Sequence, residues 1–348
     1  MVIGMLDERS KQVLYAIVQS YINNPEPVGS RFVTKAYSFG FSPATIRNIM
    51  ADLADLGFLN QPHTSAGRIP TDKGYRFYVD SIADGNSSRK EDAGLEDVIC
   101  QFAKKLGKMR TDINTMFSEV TNTLSATSNY VGIAIPPRPE KSTFRKIDLI
   151  KFKGDNVAAI LLTEEGVIKN KMFAADPGLA QEDLNRIADY LNAEYSGYTL
   201  DEIEHVLVKR IKQEKLLWDK LISRAIRICE QAMSFGEDDI FVSGIYDVMD
   251  LPDFSDLSRL REISKAIKDR HLILRLLTQL SDAEGVQVII GDENPVAEMK
   301  KFSIVASPYK EGNRHMGVIA LIGPTRMDYL KAMYMVDKFA KCVSKTFD

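Results

Sequence analysis

The segment from residue 42 to residue 76 constrains this chain more than any other part of its sequence. It opens with Ser42 and Pro43. Serine accepts hydrogen bonds from the free amides of a first helical turn, and proline suits the first helical position. Apolar residues then recur at helical spacing, at Ile46, Ile49, Met50, Leu53 and Leu56. The pattern predicts an amphipathic helix that begins at Pro43.

The opposite face of this predicted helix carries small side chains and hydrogen-bond donors. Its residues are Ala44, Thr45, Arg47, Asn48 and Ala51, and none of them is acidic. An ordinary solvated helix face would more often carry Glu and Lys together. A face of this kind at the beginning of a helix can lie against DNA bases and phosphates. We interpret it as a DNA-reading face.

Two further helices are predicted upstream. The first has an apolar stripe from Val13 to Ile22 and ends at Asn23-Asn24-Pro25. The second begins near Ser30 and stops at Phe39-Gly40-Phe41. A short turn that contains Gly40 would join this second helix to the helix that begins at Pro43. Two helices joined in this way, with a polar free face on the later one, form a helix-turn-helix.

The residues after the recognition helix predict a β-hairpin. Gly57 ends the helix, Phe58-Leu59 forms one strand, His63 to Gly67 form a turn, and Arg68-Ile69 return as the second strand. Such a hairpin is the wing of a winged helix. A last apolar stripe at Tyr75, Tyr78, Val79 and Ile82 would close the core.

These patterns predict a set of DNA-contacting residues. They are Arg31, Ser42, Ala44, Thr45, Arg47, Asn48, His63, Thr64, Ser65, Arg68 and Lys73. Arg68, together with Lys73, would neutralise phosphates beside the recognition helix. For His63, a contact with DNA and a role in stabilising the turn both remain open.

The charge distribution is compatible with DNA binding. The formal net charge is -3, yet Arg31, Lys35 and Arg47 are not accompanied by any acidic residue between Val28 and Ala51. Phosphate contact needs only a local patch, so a mildly acidic whole is no objection. The overall charge does argue against a protein that coats nucleic acid indiscriminately. A modest patch on each subunit favours a dimer.

Several runs of this sequence resemble the heat-inducible transcription repressors of bacteria (HrcA). They are PVGS at residues 27–30, ATIRN at 44–48, PHTSAGRIPT at 62–71, SIVASPY at 303–309 and IGPTRMDY at 322–329. Both ends of the chain match the family, whereas residues 140 to 300 match only in layout. One departure is Ile49, where many members have an acidic residue.

The resemblance implies a function and a domain layout. It implies a dimeric winged-helix repressor that binds the inverted-repeat operator CIRCE on double-stranded DNA and depends on the GroE chaperonin as a partner. It also implies a GAF-like domain that is interrupted by an inserted dimerising domain.

The pattern beyond residue 82 predicts an α+β fold of the same kind. We expect a DNA-binding domain at residues 1–82, a linker at 83–92, GAF-like segments at 93–177 and 241–348, and the mostly helical insertion at 178–240. The predicted elements are a long helix over 95–128, strands over 130–135, 147–152, 157–163 and 167–173, a helical block to about 235, strands over 286–290, 303–307 and 317–322, and a final helix over 327–343. Strands flanked by helices and interrupted by a helical block are typical of an α+β domain with an insertion.

The inserted segment carries a basic helical stretch. Its cationic residues between Lys209 and Arg227 alternate with apolar ones. We favour a solvated helix face over a second DNA site. The lone Trp218 is equally compatible with a core position and with a dimer contact.

Other function classes find little support in the sequence. Cys100, Cys229 and Cys342 lie far apart and form no CxxC pair, so we expect buried thiols in a reducing, cytoplasmic compartment and neither a disulfide framework nor a zinc site. Phosphate-loop, dinucleotide and hydrolase motifs are missing, which argues against an enzyme, and we expect no cofactor. No leader or long apolar run predicts export or a membrane. A ligand-sensing GAF-like domain that controls DNA affinity remains the alternative.

Overall fold

The computed structural model of the chain has a mixed α+β fold, which confirms the expected fold class at that level. It describes residues 6–64, 66–83, 93–107, 109, 113–137, 143–164, 168–175, 178–200, 202–203, 206, 240–245, 247–254, 257–281, 283–312 and 314–347. Ser65, most of the expected linker and residues 207–239, which include Trp218 and the basic stretch, lie outside this part of the chain.

The N-terminal unit, residues 6–83, is built from short helices around a two-stranded sheet. Its elements are α1 (Glu8–Asn23), α2 (Ser30–Ala36), α3 (Pro43–Asp55), β1 (Leu59–Asn60), β2 (Ile69–Pro70) and α4 (Asp72–Ala83). β1 and β2 are antiparallel, with Leu59 opposite Pro70. The predicted stripes supply the core, since Leu14, Ile17 and Ile46 are fully buried.

The prediction of one long helix over residues 95–128 is wrong. The chain instead forms two helices, α5 (Ala93–Leu106) and α6 (Ile113–Ser128). Lys105 Nζ lies 2.7 Å from Glu119 Oε1. In one continuous helix these residues would be about 21 Å apart at 1.5 Å per residue. The helices therefore fold back on each other. The apolar spacing at Leu106, Met109 and Ile113 continues across the turn, and for this reason the break was not visible in the sequence.

A five-stranded sheet forms the centre of the C-terminal unit, residues 93–135 and 240–347. Its strands run in the order β7-β3-β10-β9-β8. The elements are β3 (Val131–Ile135), β7 (Phe241–Ser243), α8 (Leu257–Lys268), α9 (Arg270–Ser281), β8 (Gln287–Ile290), β9 (Phe302–Glu311), β10 (Arg314–Pro324) and α10 (Tyr329–Phe347). Apolar side chains of α8 and α9 fill one face of the sheet, and those of α5, α6 and α10 fill the other.

A second, three-stranded sheet lies in the inserted unit, residues 136–239. It contains β4 (Phe144–Lys151), β5 (Asn156–Thr163) and β6 (Ile168–Ala174), and α7 (Gln181–Tyr195) covers one face. Its core is separate from that of the five-stranded sheet. An insertion that begins at residue 178 would cut through this unit, because the strands precede that position and α7 follows it.

Strand pairing locates the beginning and end of the inserted segment. β3 and β7 are antiparallel neighbours, with Ala134 opposite Phe241. The chain thus leaves the five-stranded sheet after residue 135 and returns to it at residue 240 on the same edge, as a greatly enlarged hairpin loop would. Among the described helices, none is long and apolar enough to cross a membrane. The expectation of buried thiols is wrong for Cys100, which is exposed on α5, while Cys342 is half-buried. Cys229 lies outside the described residues.

Candidate nucleic-acid interface

The beginning of α3 is organised by its capping residue. Ser42 has an extended backbone, and its hydroxyl accepts a hydrogen bond from the amide of Thr45 at 3.1 Å. Pro43 occupies the first helical position, as expected. The Ser42 and Thr45 hydroxyl oxygens are also 3.0 Å apart, so both side chains are held at the first turn.

The two faces of α3 differ as the sequence predicts. Ile46, Met50 and Leu53 are buried in the N-terminal unit. The exposed residues of its first two turns are Pro43, Ala44, Thr45, Arg47 and Asn48. The predicted DNA-reading set therefore lies together on one solvent-facing surface.

Basic residues of α2 extend this surface. Arg31 and Lys35 are exposed, and α2 packs against α3 within the N-terminal unit. Within the described ranges, neither Arg31 nor Arg47 has a carboxylate partner. A cation that has no internal partner is available to a phosphate.

An aromatic stack holds the turn between α2 and α3. The ring centroids of Tyr37 and Phe39 lie 5.5 Å apart, and those of Phe39 and Phe41 lie 6.2 Å apart. Gly40 supplies the left-handed backbone, at φ 72°, that lets these rings follow one another.

The hairpin after α3 is tied to the beginning of α2. Arg68 exchanges two backbone hydrogen bonds with Val28, each 2.9 Å long. Gly67 passes so close to this bridge that a side chain could not be accommodated there. The Arg68 side chain is half-buried, and its Nε has no hydrogen-bond partner within the described part of the chain. The Nε atom itself is buried, so only the rest of the guanidinium is available to a phosphate.

The tip of the hairpin is closed by Gln61. Its side-chain amide donates to the carbonyl oxygens of Thr64 and Ala66, at 3.0 and 3.1 Å. His63 is exposed, and its carbonyl oxygen accepts a hydrogen bond from the amide of Ala66. The turn thus holds itself through backbone and amide contacts, and the His63 ring projects into solvent.

Lys73 lies at the opposite end of α3 from Ser42. Its Nζ donates to the carbonyl oxygen of Leu56 at 2.8 Å and lies 4.5 Å from the centroid of the Phe58 ring. This ammonium group satisfies a free carbonyl at the helix C-terminus. The position favours a capping role for Lys73 over the expected phosphate contact.

A match to a family model covers most of the C-terminal part of the chain. The model of the HrcA protein C-terminal domain matches residues 114–333. The heat-inducible transcription repressor HrcA of Thermodesulfovibrio yellowstonii is 50% identical over 342 residues, which cover 98% of each chain. The chain belongs to the HrcA family. The repressor of the same name from Geobacter sulfurreducens is 37% identical and covers 99% of this chain and 98% of its own length.

A solved structure supports the fold. The crystal structure of a hypothetical protein, 24% identical, covers 98% of this chain and 98% of its own, with a TM-score of 0.66. The likeness concerns the arrangement of the chain as a whole. It places this HrcA-family chain in a fold already seen in a crystal.

Thr71, at the end of a family-like run, and the nearby Gly74 have structural roles that the sequence did not reveal. The Thr71 hydroxyl donates to the carbonyl oxygen of Gly57 at 2.7 Å and accepts from the amide of Gly74 at 3.2 Å. Thr71 thereby joins the end of α3 to the beginning of α4. A Cβ on Gly74 would lie 2.3 Å from the carbonyl oxygen of Phe58, so only glycine fits this joint.

Arg326 has a structural role that its place in a family-like run did not indicate. Its guanidinium donates to the Asp253 carboxylate, at 2.7 Å for the shortest contact, and to the carbonyl oxygens of Tyr21 and Ile22. These partners are distant in sequence, and no local pattern could have indicated them. Arg326 therefore connects the C-terminal unit to the N-terminal unit.

Proposed function

We propose that this HrcA-family chain represses heat-shock chaperone operons by binding the inverted-repeat operator CIRCE as a homodimer. In this proposal residues 6–83 form a winged helix, with α3 as the recognition helix in the major groove. The hairpin β1–β2 is the wing. Bound repressor would occupy DNA that RNA polymerase needs.

One observation carries the proposal. The first two turns of α3 expose Thr45, Arg47 and Asn48 together, beside the unpaired Arg31 of α2. Asn and Arg are the side chains that pair most readily with adenine and guanine edges in the major groove. Arg31 of α2 and Arg68, which is bridged to Val28 just before α2, would contact the phosphates next to this surface.

The homodimer follows from the symmetry of an inverted repeat. Proteins that read such repeats place one recognition helix in each half-site and are related by a two-fold axis. We assign the GAF-like domain to residues 93–135 and 240–347 and the inserted dimerising domain to residues 136–239. Family membership supports the further proposal that GroE chaperonin sustains repressor activity.

A ligand-sensing role for the GAF-like domain has less support. Apolar side chains from helices fill both faces of the five-stranded sheet within the described residues. No observed contact favours a small molecule there. We therefore propose no ligand-sensing function for this domain.

The test is a binding titration of the full-length chain by fluorescence anisotropy. One DNA carries the intact inverted repeat, and a matched DNA of the same composition has one half-site scrambled. We expect clearly tighter binding to the intact repeat and a decline in affinity with rising salt, because phosphate contacts release counterions. Equal affinity for both DNAs at every salt concentration would overturn the proposal.

The chaperonin proposal needs its own measurement. Purified GroE should raise the fraction of repressor that is able to bind the intact repeat. An excess of an unfolded client protein should reverse that gain, since the client competes for the chaperonin. An active fraction that does not change with GroE would overturn this part of the proposal.

A further inference from the structure

The N-terminal and C-terminal units share one continuous apolar core. It includes residues of α1, α3 and α4 together with residues of α5, α6 and α10. At the boundary, the rings of Tyr75 and Tyr329 are buried with centroids 5.7 Å apart. The DNA-binding unit is therefore packed against its neighbour and does not simply hang from a linker.

Arg326 forms the first polar contact across this boundary. Its side chain is 10% exposed and that of Asp253 is 16% exposed, so the ion pair is largely removed from water. The same guanidinium donates to the carbonyl oxygens of Tyr21 and Ile22. These carbonyls belong to the last turn of α1, where they lack helical partners. Arg326 therefore holds the C-terminal end of α1.

Arg76 forms the second contact, from the middle of α4. Its Nε donates to Glu293 Oε1 at 2.7 Å, and its terminal nitrogen donates to the carbonyl oxygen of Val288 at 2.6 Å. Glu293 follows the edge strand β8, so the contact reaches the end of the five-stranded sheet. A planar guanidinium that binds a carboxylate through two nitrogens fixes direction as well as distance.

Asp72 forms the third contact, at the beginning of α4. Its Oδ2 accepts a hydrogen bond from the amide of Asp292 at 2.9 Å. We call the contacts of Arg326, Arg76 and Asp72 the docking contacts. In the N-terminal unit they involve two different helices, α1 and α4. Three separate points of attachment prevent rotation of one body on another. The docking contacts therefore fix the direction in which α3 points from the C-terminal unit.

We infer that the docking contacts set the separation of the two recognition helices in the dimer, which makes Arg76 and Arg326 positioning residues for operator spacing. The inference rests on the proposed function. If the winged helices were free on their linkers, a dimer would tolerate a range of half-site separations. Held by the docking contacts, each recognition helix has one position relative to its own C-terminal unit, so the dimer can match a much narrower range of half-site separations. The gain from the second half-site then depends on this fixed geometry.

The test compares full-length variants on a panel of operators. Arg326→Lys keeps the charge next to Asp253 but cannot span to both carbonyls, and Arg76→Met removes the contact with Glu293. Lys301→Met is the matched control, because it breaks an ion pair with Glu262, 2.9 Å long, inside the C-terminal unit. A second control adds Gly-Ser residues after Asn86. Thermal unfolding and sedimentation confirm that each variant is folded and dimeric.

The panel contains a single half-site and inverted repeats whose spacer changes one base pair at a time. The wild type and both controls should prefer one spacer sharply. Both docking variants should bind the half-site as the wild type does, yet lose at least about tenfold on the best spacer and discriminate less among the others. The two variants are evaluated separately, so a variant that does not fold leaves the other to decide.

The possible failures are distinguishable. A wild type that does not prefer any inverted repeat to random DNA would overturn the proposed function itself. A wild type that prefers inverted repeats, together with folded docking variants that keep its spacer preference, would overturn only the present inference. A linker insertion that shifts or flattens the spacer preference would overturn it as well.

Discussion

A Cβ built on Gly67 would lie 2.4 Å from the carbonyl oxygen of Val28, in the bridge that joins the base of the hairpin to the beginning of α2. Gly67→Ala must therefore push the two backbones apart. We expect a loss of about 1–3 kcal/mol in the free energy of unfolding, as in other overpacked sites. Chemical denaturation measures it. Gly29→Ala is the control, because a Cβ there meets no atom within 4 Å. Equal stability of both variants would show that the backbones at the Val28–Arg68 bridge can separate at little energetic cost.

Arg68 is half-buried and forms no ion pair within the described part of the chain, so its charge is available to a phosphate. Arg68→Ala should weaken binding to the operator and to random DNA alike, and should reduce the salt slope by about one ion per site. Titrations at several salt concentrations measure both effects. Lys73→Met should leave the salt slope unchanged and lower stability, because Lys73 caps α3. A reduced salt slope for the Lys73 variant would instead indicate that Lys73 contacts a DNA phosphate.

Asp72 predicts a pH dependence of the boundary between the two units. Burial raises the pKa of its carboxyl group, and the nearby Asp292 and Glu293 carboxylates raise it further, against the hydrogen bond from the Asp292 amide. An acid whose pKa is raised by folding adds stability below its unfolded pKa, and this contribution is lost as the pH rises through the folded pKa. Asp72→Asn does not titrate but can accept the same hydrogen bond.

We therefore expect the wild type to gain stability relative to Asp72→Asn as the pH falls from neutrality through this raised pKa. Denaturation midpoints over a pH series measure the difference. Asp55→Asn, at the exposed end of α3, is the control and should not reproduce the change. A difference between the wild type and the Asp72 variant that stays constant with pH would contradict the assignment.

The strand pairing of Ala134 with Phe241 allows a clean removal of the inserted unit. Replacing residues 137–238 by Asn-Gly should close β3 and β7 as a two-residue hairpin, since this dipeptide favours the required turn. If the inserted unit holds the dimer, the shortened chain should be folded and monomeric by sedimentation and should gain nothing from a second half-site. A shortened chain that remains a dimer would move the contact to the GAF-like domain or the winged helix.

Local signals predicted the N-terminal unit well. Ser42 and Pro43 specify a helix start through hydrogen bonding and backbone geometry that need no distant partner. The burial of Ile46, Met50 and Leu53 follows from their spacing alone. The assignment of Lys73 could not be made this way, because its partner carbonyl at Leu56 is defined by where α3 ends in space.

The C-terminal half shows where sequence reasoning reached its limit. The strands between Phe144 and Ala174 are close to their expected positions, yet no pattern within them shows that they form a sheet of their own. These strands pair with each other across short turns, but β3 is kept in the other sheet by pairing with β7 and β10, which lie far along the chain. The contact of Arg326 with Ile22 is of the same kind, since it joins opposite ends of the sequence.

The most direct test of this account compares Arg47→Ala and Asn48→Ala with the wild type on the inverted-repeat operator and on random DNA. If the exposed face of α3 reads bases, each substitution should cost about 1–3 kcal/mol of binding free energy on the operator and much less on random DNA. Equal losses on both DNAs would reassign these residues to phosphate contact. Unchanged binding to the operator would contradict the claim that α3 is the recognition helix.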